Sequence, residues 1–144
     1  MQSTDKRTLE TATPEWEIWD RSHTAALRYV AVSETGDITG WTALTPVSGR
    51  CVYARVAEVS NYVAADYRGK RVGDTLLKHL IAESEKSGYW ILRDGIFNEN
   101  NASMKLHQTN GFRVIGYREN IGKVNGIWRS VNLLERSSKI TGIN

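Results

Sequence analysis

Three groups of residues in this chain have the types and spacing to do chemistry: the carboxylate Glu58, the stretch Arg68-Gly69-Lys70-Arg71-Val72-Gly73, and the polar trio Asn100, Ser103 and His107. In the second group, cations and glycines lead directly into Val72, Leu76, Leu77, Leu80 and Ile81, which recur at helical spacing. The loop therefore opens an amphipathic helix. A helix N-terminus offers unpaired N–H groups and about half a positive charge, and glycine lets a ligand approach the backbone without a Cβ in the way. An anion, phosphate above all, suits that place; an ordinary strand-to-helix turn with solvated charges is the plain alternative. Glu58 sits between Ala57 and Val59 in a segment short of carboxylates. It is either a general base for an amine, with its pKa raised by the setting, or half of a structural ion pair with Arg50 or Arg55. Asn100, Ser103 and His107 are spaced i, i+3, i+7, which aligns them along one helical stripe where they can meet one ligand. The plain alternative is an N-cap, a first-turn serine and an exposed histidine. His23 and His79 are expected at the surface, and Cys51 reads as a small buried residue with no base beside it.

The elements that must position these residues follow from turn chemistry and periodicity. Thr13-Pro14-Glu15 opens a short helix carrying Trp16 and Trp19 towards Thr24. Leu27–Ser33 and Ile38–Leu44 form a hairpin around Gly36-Asp37, closed by Pro46–Gly49, and Cys51–Val63 is a longer strand with neither face cleanly apolar. The leucine-rich helix runs to Ser87-Gly88, a strand follows over Tyr89–Phe97, and Asn100 or Asn101 caps a helix over Ala102–Asn110 that Gly111 stops. Phe112–Ile121 pairs with Ile127–Leu134 across a turn at Asn125-Gly126. This order predicts a mixed α/β sheet, parallel only where a helix crosses between strands.

At 144 residues and 40% hydrophobic content the chain suits a single domain over 1–144, able to bury roughly two-thirds of its unfolded surface. Lys+Arg 19 against Asp+Glu 16 leaves +3, which fits a small anionic ligand as well as nucleic acid. No base-stacking sheet pattern accompanies the cations, so no nucleic-acid partner is expected. The lone Cys51 excludes a disulfide scaffold and favours a reducing, cytoplasmic setting; no metal spacing and no membrane span is expected.

Taken together, "AEVSNYV", "YRGKRVGDTLLKHLI", "IFNENNASMKLHQTNGF" and "GKVNGIWRSVNLLERS" resemble the GNAT superfamily of N-acetyltransferases, and within it the phosphinothricin N-acetyltransferase group, over about Arg7–Ser137. The resemblance implies a GNAT-like α+β fold with a mostly antiparallel central sheet flanked by helices, and acetyl-CoA as the acetyl donor. It places the cofactor's pyrophosphate on Arg68, Gly69, Lys70, Arg71, Val72 and Gly73, its pantetheine arm along Tyr62 and Val63 where two strands splay, and further contacts on Asn100 and Ser103. It makes Glu58 the general base, acting through a water, and His107 the acid for the departing thiolate. Arg50 and Tyr62 fall to the acceptor, the primary amine of a small amino acid or analogue. A homodimer is expected on the same ground.

Two departures from the family pattern stand out. Its loop usually reads Arg/Gln-x-x-Gly-x-Gly/Ala, and here the middle glycine is Arg71. With φ above zero there, arginine costs stability or affinity; with φ below zero, its guanidinium can add a phosphate contact. The resemblance also sets Met1 inside the loop before the second family helix, which implies an N-terminally shortened domain without the usual first strand and helix. An exposed strand edge and an incomplete acceptor site follow from that expectation, and the alternative it raises is a CoA-binding module with weak or absent catalysis.

Overall fold

The computed structural model describes Trp16, Asp20 and residues 26–47 and 55–142. The expected early helix lies outside these residues apart from Trp16 and Asp20, both helical, and Arg50 and Cys51 lie outside them altogether. Six strands form one sheet: β1 (Tyr29–Val32), β2 (Ile38–Pro46), β3 (Val56–Val63), β4 (Ile91–Phe97), β5 (Arg113–Val124) and β6 (Ile127–Ser137). Their order is β1-β2-β3-β4-β6-β5. Helix α1 (Val72–Lys86) connects β3 to β4, and α2 (Asn101–Thr109) connects β4 to β5.

The β3–β4 pair is parallel and every other pair is antiparallel. A helix must cross between parallel neighbours, and α1 does so. The crossing through α2 produces no second parallel contact, because β6 lies between β4 and β5 and runs against both. The two-residue turn between β5 and β6 has φ of 50° at Asn125 and 77° at Gly126, the pair of positive values a tight hairpin with right-handed strand twist requires.

Leu76, Leu77, Leu80 and Ile81 are buried along α1 as their spacing predicts, and Val72 is half-buried at the helix start. Leu77, Leu80 and Ile81 share one core with Leu44, Ala57, Val59, Leu92, Ile96 and Leu134 from the sheet and Phe112 beyond α2. Both helices end as the glycines predict. Gly88 (φ 85°) and Gly111 (φ 89°) turn the chain out, and the amides of Tyr89 and Phe112 reach back to Ser84 O (2.9 Å) and His107 O (3.0 Å). The helices are neighbours, joined by Asn110 Nδ2 donating to Asp74 Oδ1 (2.9 Å).

Candidate functional site

One turn of 3-10 helix at Ala65–Tyr67 brings the chain from β3 to the basic loop. Gly69 has φ 77°, and a Cβ there would meet nothing within 4 Å, so its conformation and not space calls for glycine. Arg71 has φ 64° and ψ 16°, the left-handed region, which settles the alternative left open by sequence. An L side chain in that region costs about 1–2 kcal/mol. Arg71 is also the N-cap of α1, with no side-chain hydrogen bond to the first-turn amides. Arg71 thus makes a left-handed turn into α1 under strain.

The loop cations have different neighbours. Arg68 Nε donates to Val63 O (3.4 Å), and Lys70 Nζ lies 5.4 Å from the centre of the Tyr67 ring. In the first turn of α1, Asp74 accepts from Lys78 Nζ (2.6 Å) and from Asn110. The Lys78 hydrogen bond first, and the Asn110 one next, hold the Asp74 carboxyl below its usual range.

The sheet opens beside the loop. β3 and β4 pair only through Val56–Ile91, Ala57–Leu92 and Glu58–Arg93, and beyond that point they separate. Glu58 therefore stands at the apex of a fork whose β3 arm continues five residues to Val63, roughly 16 Å of extended backbone. Tyr62 is steadied on the far side by Trp41, stacked with centroids 6.3 Å apart. Glu58 is half-exposed, with Arg93 Nε 3.8 Å from its Oε2, a neighbour that the sequence reading did not single out. The apolar setting expected from Ala57 and Val59 does not enclose it, because strand alternation sends those two to the helix side and Glu58 to the other.

A cavity of about 840 Å³ gathers most of the sequence candidates. The arm of the fork supplies Asn61, Tyr62 and Val63; the loop and helix start supply Arg68, Gly69, Arg71, Val72 and Gly73; α2 supplies Asn100 and Ser103. Lys70 and Glu58 are not among its lining residues. Among the described lining residues Arg68, Arg71, Lys78 and Lys105 outnumber the single carboxylate Asp74, which favours an anionic guest. Asn100 caps α2, its Oδ1 accepting from Ser103 N (3.1 Å).

His107 departs from expectation. Its side chain is wholly buried, neither on the ligand-facing stripe with Asn100 and Ser103 nor exposed, and it does not line the cavity. Nδ1 lies 2.8 Å from Ser103 O, Nε2 lies 2.7 Å from Asp94 Oδ2, and Phe112 packs edge-on against the ring with centroids 5.0 Å apart. The i, i+7 spacing drifts about 20° round a helix, and a buried carboxylate on β4 draws the ring inward. His79 is half-exposed, as expected, with the Tyr29 ring 4.4 Å away.

Sequence reasoning passed over Asn61, Lys105 and Asp94. The first and last carry a legible signal: each is a polar residue at a core-facing position, Asn61 between Val59 and Val63 and Asp94 between Leu92 and Ile96. Lys105 carries none.

Comparison with known proteins agrees with this geometry. The family profile described as "Acetyltransferase (GNAT) family" matches residues 2–112. An L-amino acid N-acyltransferase, MnaT, of Escherichia coli (strain K12) is 32% identical over 118 residues, covering 81% of this chain and 69% of that protein. A phosphinothricin N-acetyltransferase of Alcaligenes faecalis is 33% identical over 114 residues, covering 78% of this chain and 57% of that protein. In fold, the chain is similar to the crystal structure of a GNAT superfamily phosphinothricin acetyltransferase from Sinorhizobium meliloti in complex with AcCoA, with a TM-score of 0.86, 22% identity, and coverage of 96% of this chain and 77% of that one. The forked mixed sheet, the basic loop at a helix start and the profile match over most of the sequence lead to one conclusion: the chain belongs to the GNAT acetyltransferase family.

Proposed function

We propose that this protein transfers acetyl from acetyl-CoA to the primary amine of a small amino acid or analogue, of the phosphinothricin or methionine sulfoximine type. The observation that carries the reading is the fork of β3 and β4 opening directly beside an uncapped helix start, with Asn61–Val63, Arg68, Gly69, Arg71–Gly73, Asn100 and Ser103 around one cation-rich cavity. The donor set fits acetyl-CoA: first-turn amides and arginines for a diphosphate, and the stretch of β3 that has parted from β4 for an extended, amide-bearing arm. When bound, acetyl-CoA supplies the activated acyl group.

The remaining roles belong to this chain. Strand N–H groups in the fork polarise the thioester carbonyl. Glu58, at the apex, accepts the amine proton, directly or through one water, with Arg93 Nε 3.8 Å from the carboxylate to orient it. Attack then forms the amide C–N bond as the C–S bond breaks. His107 is buried against Asp94, and in this reading the departing sulfur takes its proton from solvent. Tyr62 borders the acceptor, and Arg50, outside the described residues, holds an acidic acceptor by its charge. A cytoplasmic homodimer completes the reading; Cys51 as the lone cysteine and the exposed apolar edge of β5 support its two parts.

The test is thiol release from acetyl-CoA across a panel of amino-acid acceptors. Turnover with an acidic amino acid or its analogue is expected. Glu58→Gln should lower kcat by about 10²–10⁴-fold with acetyl-CoA affinity unchanged. Binding of acetyl-CoA without turnover on any amine would replace the enzyme with a binding module.

A further inference from the structure

Asp94 and His107 form a buried ionisable pair that the proposed reaction leaves unused: Asp94 is 5% exposed and His107 is 0%. Asp94 is the first residue of β4 beyond its last pairing with β3, and so marks the point where the fork opens. His107 reaches it from the last turn of α2.

The ring's protonation follows from its neighbours. Ser103 O, 2.8 Å from Nδ1, is a carbonyl oxygen and can only accept, so Nδ1 carries a hydrogen. Nε2 is 2.7 Å from Asp94 Oδ2, short but not aligned as a regular hydrogen bond. Two bare lone pairs at that distance repel, so the pair is expected to hold one proton, either as imidazolium facing carboxylate or as imidazole facing carboxylic acid. Both forms are neutral overall, which burial demands. The same ring holds Ser103 O, while Ser103 N is held by Asn100 Oδ1, and both Asn100 and Ser103 line the cavity. A continuous chain of contacts thus runs from β4 to the cavity wall.

We propose that Asp94 and His107 are a one-proton clasp that fixes the first turn of α2 against β4 at the mouth of the fork, and are positioning residues for the ligand that Asn100 and Ser103 border. The ligand part rests on the acetyl-CoA reading; the clasp itself does not.

The experiment compares the full chain with Asp94→Ala and Asp94→Asn by acetyl-CoA titration calorimetry, thermal unfolding and the ring 15N shifts of His107. Wild type should show a protonated Nδ1, opposite to the tautomer imidazole prefers in water. Asp94→Ala, while folded, should weaken acetyl-CoA binding on the order of tenfold to a hundredfold, the penalty of misplacing a contacting group. Asp94→Asn, whose amide can donate to Nε2, should stay within about threefold of wild type and keep the Nδ1 hydrogen. Wild-type affinity in folded Asp94→Ala, equal losses in both variants, or a bare Nδ1 in wild type would each overturn the clasp. If Asp94→Ala does not fold, Asp94→Asn and the ring shifts decide. If wild type binds no acetyl-CoA, the cofactor reading fails, and the Nδ1 proton still decides the clasp.

Discussion

At the scale of single residues, Arg71 carries the chain's main oddity. Its positive φ makes it a strained turn residue at the head of α1, and its side chain leaves the first-turn amides uncapped. Replacing it with glycine removes the strain and the Cβ while giving up one cation, with Arg68, Lys78 and Lys105 remaining around the cavity. Arg71→Gly is therefore expected to tighten acetyl-CoA binding in a calorimetric titration. Weaker binding would mean that the guanidinium contributes more than the strained backbone costs. The position was legible as a departure in the sequence, but its φ was not: sterics and charge pull in opposite directions there, and only the backbone geometry decides between them.

Among the elements, the contact that sets the site is α1 lying close over β2 and β3. Gly40 in β2 makes the approach possible, since a Cβ there would come within 2.6 Å of Tyr62 O, 3.1 Å of Leu76 Cδ1 and 3.2 Å of Val72 Cγ1. The backbone oxygen cannot yield cheaply, so a methyl group must push the start of α1 or the end of β3, both of which border the cavity. Gly40→Ala should destabilise the fold by about 1–3 kcal/mol in denaturant unfolding, with a matching loss of acetyl-CoA affinity. Unchanged unfolding would show that the helix start has room to move. Periodicity made α1 and its buried face readable in advance. It gave no hint of Gly40, because the reason for that glycine lies on another element.

For the whole molecule, the described sheet ends in β1 on one side and β5 on the other, and β5 exposes several large apolar side chains among its charged ones. Val114, Ile115, Tyr117 and Ile121 are all 41–54% exposed, and Ile127 and Trp128 extend the patch across the hairpin. An edge with unpaired backbone groups and such a surface favours self-association. Sedimentation equilibrium should find the chain as a dimer at micromolar concentration, and Tyr117→Lys should shift it towards monomer. A monomeric wild type would remove the homodimer from the reading.

Local rules were enough for much of this protein. Turn glycines, the Asn100 cap, the leucine stripe and the Asn125-Gly126 hairpin act over a few residues, so their outcome is written in the chain, and most of the basic loop lines one cavity together with Asn100 and Ser103. Contacts between distant segments were decided only by the tertiary structure. The fork at Glu58–Arg93, the insertion of β6 between β4 and β5, and the turning of His107 inward to Asp94 depend on which strands become neighbours. Spacing within one helix cannot anticipate a carboxylate brought to it by another strand, because the free energy of burying that pair exists only once the sheet has formed.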